Sequence, residues 1–426
     1  MMQFKKPKGT EDFLPKKIAE RNAIFTTLKK AAERFGFCEV DVPVVETTKL
    51  LTAKSGQEAL SQLFVIEKKG SEELALRFDL TVPMTRMFIE QQKVVPKPVK
   101  WFALQKNWRY EAPKKGRLRE FFQWSVELFG SDKPEADAEV ILLALQGLYD
   151  LGLQKKDFIV RLNNRKLLEG LLSNMLGTAS LEDIACLIDK SSKITTQEFE
   201  KKLTQLGLDK DCVEKIMKLS VTRGPPEQVF AQLQTRILSE QAKQGLAELK
   251  AICSFLNSSQ IVIDLSIARG LAYYTGMVFE IFDAKGQFRA IAGGGRYDLL
   301  VQIFGGEKTP AVGFAMGYST LQLLLEDRKL LPTTTSGPDF FIAPVSEKEL
   351  SKAFALAQAL RTKYSVALEL TRRKIGKQFD YANSIGAKKV IILGENEIKK
   401  GIYKVKDMTT GKEIELSEEQ LLTEKR

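Results

Sequence analysis

Apolar and polar positions along this chain recur with two different periods, and the places where the period changes mark its organisation. "KKIAERNAIFTTLKKAAERFGF" spaces its apolar residues for a helix, and "CEVDVPVVE" after it predicts a strand interrupted by Pro43. "LALRFDLTVPMTRMFIE" predicts a short strand and then a helix that starts near Asp79 and Thr81. "VKWFALQKNWRYE" and "EFFQWSVELFG" both alternate, and they flank the glycine-containing basic loop "APKKGRLR", which predicts an antiparallel hairpin. "SDKPEAD" has the composition of a helix start and leads into "AEVILLALQGLYDLGL".

From about residue 160 to 255 the pattern is amphipathic helix with scattered breaks, a helical insertion, because strand character resumes only at "IVIDL". "GMVFEIFD", "FRAIAGGG" and "AVGFAMG" then predict strands, and "YSTLQLLLEDRKLL" a helix. The polar stretch "PTTTSGPD" reads as a linker. Beyond it, "FFIAPV", "SVALELT" and "KKVIILG" alternate with helical segments, which predicts a largely parallel sheet. The expected organisation is an α+β domain over 1–330 built on an antiparallel sheet, a linker over 331–338, and a small α/β domain over 339–426.

Composition changes this picture in three ways. The longest apolar runs, "VILLAL" and "LQLLL", are too short to cross a membrane, and "MMQFKKPKGTEDF" has no signal-peptide core, so a cytoplasmic protein is expected. Lys and Arg number 65 against 54 acids, a net charge of +11, which suits a polyanionic partner or simply a lysine-rich surface. The chain contains no histidine, which excludes Ser-His-Asp and Cys-His hydrolases, HExxH metalloenzymes and imidazole general bases. The four cysteines are widely spaced and form no CxxC pair, so reduced thiols are expected and no metal site is predicted.

The residues that could carry chemistry fall in three stretches. Around the hairpin loop stand Arg109, Glu111, Lys114, Lys115, Arg117 and Arg119. On the returning strand, Phe121, Gln123, Ser125 and Glu127 share one face by period two. Unpaired buried polar groups cost free energy, so this face is poor core and suits a floor that binds a polar, partly cationic ligand. Second, Arg269 precedes Gly270 and can approach a phosphate closely. Tyr273 and Tyr274 follow it, and if both were in strand only one would line the same pocket. Third, the glycines of "AGGGRYD" permit close approach of another backbone or a ligand, although the string is neither GxGxxG nor a P-loop.

Taken together, "KPKGTEDFLP", "RYEAPKKGRLREFFQWSVELFG", "IARGLAYYTGMVFE", "AGGGRYD", "TPAVGFAMG" and "KQFDYANSIGAKKVIILGENE", in this order, closely resemble the histidyl-tRNA synthetases. The resemblance covers nearly the whole chain except the insertion. It implies a class II synthetase-like antiparallel sheet that binds ATP with Mg2+ and histidine, forms histidyl-adenylate, and passes histidine to the 3′ end of tRNA(His). It further implies a C-terminal anticodon-binding domain and a homodimer formed through residues near 16 to 47. By the same resemblance Arg109 and Arg269 match the catalytic arginines at the α-phosphate, Phe121 the ring stacked on adenine, and Glu111 an ATP contact. Asp79, Leu80, Thr81, Gln123, Glu127, Tyr273 and Tyr274 match positions around histidine, and Lys114, Arg117 and Arg119 meet the acceptor end of tRNA.

The chain departs from the family's pattern at its third motif. Thr320 stands where the family places an arginine against adenine and the γ-phosphate, and Ser319 where an acid precedes it. Lys308 or Arg328 would then grip the phosphates instead. Ala272 replaces the usual Asp, and Ala112 the usual arginine after the motif 2 glutamate. Trp124 and Ser125 replace smaller residues and are expected to narrow the amino-acid pocket. The competing reading is a paralogue without aminoacylation, acting as a histidine sensor or regulatory subunit.

Overall fold

The computed structural model of the chain describes residues 4–53, 60–68, 70–173, 175–176, 179–191, 194–234, 238–256, 259–267, 273–333 and 337–423. Two compact units emerge, one formed chiefly by Asn22–Leu331, the other by Pro332–Arg426 with Phe13–Arg21. Among the described residues no helix is long and apolar enough to cross a membrane.

The larger unit contains strands β1 (Cys38–Glu39), β2 (Val45–Thr47), β3 (Phe64–Val65), β4 (Leu74–Leu76), β5 (Val99–Trp108), β6 (Glu120–Phe129), β7 (Phe158–Asn164), β8 (Arg223–Gly224), β9 (Ile261–Asp264), β10 (Met277–Asp283), β11 (Ala292–Arg296) and β12 (Ala311–Gly317). Nine of them form one sheet in the order β1-β5-β6-β12-β11-β10-β7-β9-β8, while β2, β4 and β3 make a small separate one. The segment "CEVDVPVVE" thus yields two strands in different sheets, β1 and β2, with the proline between them. Antiparallel pairing runs through the middle of the large sheet, β5 to β6 to β12 to β11 to β10 to β7. The predicted hairpin is there, with Gln105 opposite Gln123 and Asn107 opposite Phe121.

Helix α1 (Pro15–Arg34) is divided between the two units after Arg21, and the other helices of the larger unit are α2 (Thr48–Ala53), α3 (Thr81–Gln91), α4 (Pro134–Asp150), α5 (Arg165–Leu172), α6 (Leu181–Lys190), α7 (Thr196–Gln205), α8 (Lys210–Ser220), α9 (Pro226–Gln234), α10 (Glu240–Leu256), α11 (Leu300–Ile303) and α12 (Tyr318–Asp327). The segment that reads as helical insertion begins inside the sheet, because Phe158–Asn164 is the strand β7 paired with β10 and β9; its helices start at Arg165. Asn164 ends the strand and caps the helix, its side chain accepting from the amides of Lys166 and Leu167. Behind the sheet lies α4, whose Gly147 packs so close to Trp124 that a Cβ there would sit 2.9 Å from the indole.

In the smaller unit β13 (Phe340–Pro344), β14 (Val366–Leu368), β15 (Lys389–Leu393), β16 (Ile402–Asp407) and β17 (Glu413–Ser417) form a sheet of order β14-β13-β15-β16-β17. The first three are parallel, as the alternation of strands and helices predicts, with α13 (Leu350–Leu360) and α14 (Ile375–Ser384) as the crossovers. The last two add antiparallel, a hairpin closed by an Asp407-anchored turn that the apolar pattern does not announce. The helices α15 (Glu395–Lys400) and α16 (Glu418–Thr423) complete the unit.

Candidate active site

A cavity of about 380 Å³ opens over the middle of the large sheet, a size suited to a nucleotide or drug-sized ligand. Its floor follows from the register. Glu127 lies opposite Gly313, which lies opposite Gly295; Ser125 lies opposite Ala315, and Ala315 opposite Gly293; Gln123 lies opposite Gly317. Side chains of one face recur every second residue, so this face is a trough of glycine and alanine walled by polar side chains from β6. Glycine is required at the deep end. A Cβ on Gly313 would sit 2.3 Å from both Glu127 Oε2 and the Tyr297 hydroxyl, and one on Gly295 would sit 2.8 Å from the Tyr274 ring. At Gly317 nothing lies within 4 Å of a Cβ, so there the floor is open to the cavity.

One wall comes from the hairpin. Arg109 leaves β5 half-buried, donates through Nε to the Phe78 carbonyl at 3.0 Å, and holds its guanidinium 5.1 Å from the centre of the Phe121 ring. Arg109, Glu111, Arg117 and Phe121 all line the cavity. Arg117 and Glu111 form an ion pair, and the loop closes on itself between Lys114 and Arg117 through backbone hydrogen bonds of 3.0 and 2.8 Å. The turn needs Gly116, whose φ is +73°. Arg119 points elsewhere: its Nε donates to the Glu111 carbonyl at 2.9 Å and its guanidinium lies 4.3 Å from the centre of the Tyr110 ring. It braces the loop.

Of the predicted histidine-binding residues, Gln123, Tyr273 and Tyr274 line the cavity, while Asp79, Leu80, Thr81 and Glu127 do not. Gln123 lines the cavity and accepts from Asn107 Nδ2 at 2.8 Å. Glu127 is fully buried below it. Asp79 accepts from the Val82 amide at 3.1 Å and so starts α3, with Thr81 at the helix's first position. Leu80 turns its side chain into the core with Val42, Met84 and Ala103, leaving only its main chain for a ligand. Tyr273 and Tyr274 both line the cavity, with ring centres 4.2 Å apart, which overturns the expectation that one at most would do so. They precede β10, which begins at Met277, so the period-two rule does not apply to them. Arg269 lies outside the described residues.

Known proteins match this chain along its length. A sequence profile described as Histidyl-tRNA synthetase matches residues 9–321, and one described as Anticodon binding domain matches residues 339–424. The chain belongs to the histidyl-tRNA synthetase family. The histidine–tRNA ligase of Pyrococcus horikoshii is 39% identical over 415 residues, 96% of each chain, and that of Thermococcus kodakarensis is 38% identical over 100% of this chain and 98% of its own. The crystal structure of histidyl-tRNA synthetase from Nostoc superposes with a TM-score of 0.82 at 26% identity, covering 99% of both chains. The Staphylococcus aureus apo histidyl-tRNA synthetase, at 24% identity and TM-score 0.73, shares the fold.

Against the synthetase family's pattern the structure corrects two expectations drawn from sequence. Trp124 does not narrow the pocket; it lies on the opposite face of β6, edge-on to Phe314 at 5.1 Å and against Gly147. Period two decides this, since Phe121, Gln123 and Glu127 share the other face. Ser125 is on the trough side but fully buried, and its Oγ has no hydrogen-bond partner among the described residues. Arg328 cannot replace the family's third-motif arginine. It is held by Asp157 at 2.9 Å, Asp283 at 2.7 Å and Asp327, away from the cavity. Lys308 is exposed and does not line it either.

Sequence reading also passed over Arg296 as a buried anchor and Glu280 and Arg289 as cavity-lining residues. Arg296 of "AGGGRYD" is buried, with Asp137 and Asp298 each at 3.0 Å, and donates to the carbonyls of Ser131 and Lys133 at 2.8 and 3.2 Å. It fixes the end of β11 against the start of α4. Burial raises the Asp137 carboxyl to about 7 despite this partner. Glu280 and Arg289 line the cavity from the β10–β11 side, and only the strand order brings them there.

Proposed function

We propose that this chain joins histidine to tRNA(His) in two steps at the cavity over β6, β12 and β11. The histidine carboxylate attacks the α-phosphorus of ATP, the bond to the β-phosphate breaks, and pyrophosphate leaves. The 3′-terminal ribose hydroxyl of tRNA then attacks the carbonyl of the adenylate and AMP leaves. The observation that carries the reading is the Arg109–Phe121 pair beside Gln123, Tyr273 and Tyr274 in one cavity, within a chain of this family.

In this reading Arg109, with Arg269, holds the α-phosphate and opposes the charge that grows there. Phe121 stacks on adenine, and Glu111 contacts the nucleotide. Gln123, Glu127, Tyr273 and Tyr274 orient the histidine, with Asp79, Thr81 and the Leu80 main chain at its ammonium end. A carboxylate and phenols can partner an imidazole substrate without any protein histidine. Lys114 and Arg117 meet the acceptor end of tRNA, and Arg119 acts there through the loop it braces. Among the described residues no three carboxylate or thiol groups converge as a metal cluster. Mg2+ is commonly held by substrate phosphates and one or two carboxylates, and Glu111 and Glu280 in the cavity fit that arrangement. Residues 1–330 serve as the catalytic domain, 331–338 as the linker and 339–426 as the anticodon-binding domain, in a cytoplasmic homodimer formed through the region 16–47.

Histidine-dependent exchange of pyrophosphate into ATP, tried with all twenty amino acids and Mg2+, tests the reading. Exchange with histidine alone supports it. Folded protein that exchanges with none would instead be the regulatory paralogue.

A further inference from the structure

We propose that Arg165, backed by Asn163, is a positioning residue for Tyr273 and Tyr274 and thereby sets the affinity of the cavity for its amino-acid substrate. The inference rests on the reading above in which the two tyrosines orient histidine.

Sheet order creates the need for such a residue. Strand β7 lies between β9 and β10, so the chain that leaves β9 at Asp264 and enters β10 at Met277 must cross the C-terminal end of β7. Both ladders stop there, with Leu162 opposite Ile263 and Asn164 opposite Met277. The crossing segment brings Ile267, Tyr273 and Tyr274 to the cavity, beyond the ends of the two strands. Its carbonyls need donors that the ladders do not supply.

Two residues at the junction of β7 and α5 supply them, one on each flank. On the β9 side Asn163 is buried, and its Nδ2 donates to the carbonyls of Leu265 at 3.3 Å and Ile267 at 2.9 Å. Its Oδ1 accepts from the Asn164 amide at 2.8 Å, so one orientation of the side-chain amide meets all three partners. On the β10 side Arg165 donates from its main chain to the Gly276 carbonyl at 2.8 Å and from Nη1 to the Tyr274 carbonyl at 2.7 Å. The Tyr274 ring lies over Gly295, 2.8 Å from where a Cβ would be, and its centre is 4.2 Å from that of Tyr273. Holding the Tyr274 carbonyl therefore holds both rings over the trough.

Arg165 is itself held. Its Nε pairs with Glu169 one turn along α5, and Glu169 also accepts from Gln241 of α10 at 2.6 Å. Glu248 of α10 accepts from Asn164 at 2.8 Å and from Lys166 at 2.6 Å. The two helices meet main chain to main chain: a Cβ on Gly170 would sit 2.5 Å from the Ala242 amide nitrogen, and one on Gly245 would collide with the Leu167 amide. A guanidinium anchored on a carboxylate through one nitrogen presents another in a fixed direction, which a lysine cannot do. Helices α5 and α10 thus stiffen the clamp.

The test uses the full chain. Pyrophosphate exchange gives KM for histidine and for ATP, and calorimetry measures histidine binding directly. Arg165→Ala is expected to raise histidine KM and weaken histidine binding about tenfold, the scale of one lost charge-assisted hydrogen bond, with ATP KM within about twofold. The chain is also made with 3-fluorotyrosine at its nine tyrosines, and Tyr273→Phe and Tyr274→Phe assign two of the fluorine signals. In Arg165→Ala those two should shift or broaden, while the signals of Tyr364 and Tyr403 in the smaller unit stay. If Arg165→Ala does not fold, Glu169→Gln leaves the arginine but loosens it and should raise histidine KM about threefold. Histidine and ATP KM rising together in folded protein, or neither rising, would overturn the proposal, as would unmoved fluorine signals. A wild-type chain without exchange sinks the parent reading alone, because histidine calorimetry and the fluorine spectra still judge the clamp.

Discussion

Arg109 and Phe121 are a prepositioned pair: the guanidinium stands 5.1 Å from the ring centre while its Nε is tied to the Phe78 carbonyl at 3.0 Å. The cation is thus fixed before any ligand arrives, and fixed charge is what lowers the cost of a charged transition state. Arg109→Ala is expected to slow histidine-dependent pyrophosphate exchange by roughly 100-fold or more. Its melting temperature should change far less than the rate, because the side chain is only half-buried. Arg109→Lys keeps the charge without the planar fork and should recover only a small part of the rate. Full activity in either variant would remove Arg109 from the chemistry.

The trough offers a contrast between two glycines. Gly317→Ala should fold normally, since nothing lies within 4 Å of the new methyl, yet raise the KM for ATP by filling the floor. Gly313→Ala should destabilise the fold by about 1–3 kcal/mol, because the Val126 carbonyl oxygen lies 2.4 Å away and cannot rotate aside. Thermal melts with exchange kinetics separate the two outcomes. Equal stability losses would show that the register is not as described.

Arg296 is a buried cation whose partners are Asp137 and Asp298. Asp137→Ala leaves it undercompensated and is expected to cost about 3–5 kcal/mol in urea unfolding. Such a loss would also disturb the cavity through the displaced end of β11.

Asp137 further predicts a pH dependence. Its carboxyl is raised from the ordinary 3.8 to about 7 in the folded chain, mainly by burial. The folded state then holds that proton more tightly than the unfolded chain does. The stability contributed by this group is full below about pH 4 and is lost as pH rises through about 7. Between pH 5 and 8 the urea midpoint of wild type should fall more than that of Asp137→Asn. Parallel curves would mean that Asp137 is ionised throughout.

In the smaller unit Glu369 is buried and accepts from the Thr371 amide at 2.6 Å, the Thr371 hydroxyl at 2.8 Å and Arg373 Nη1 at 3.1 Å. Burial opposes its ionisation, but these donors outweigh burial and hold its carboxyl below the ordinary value. Its stabilisation is present above the ordinary carboxylate pKa and disappears as pH falls through the depressed one. Glu369→Ala should therefore lower the stability of this unit near neutral pH while histidine-dependent exchange persists, since the cavity lies in the other unit. Loss of exchange would show that the chemistry depends on the smaller unit.

The sequence by itself determined what is local. Alternation with period two fixes the β5–β6 hairpin and places Phe121, Gln123 and Glu127 on one face, because successive side chains of a strand must point to opposite sides. The ordered motifs determined the family, and the absence of histidine removed imidazole catalysis from consideration. Only the tertiary structure decided which distant residues meet. The order β6-β12-β11-β10 brings Gly313 and Gly295 beside Glu127, across more than 150 positions of chain. It also sent Trp124 behind the sheet, paired Arg328 with Asp157 and Asp283, and let both tyrosines face one cavity. Periodicity records how each segment divides its faces. Which segment covers which face is set by packing among all of them at once, and no local window of sequence contains that information.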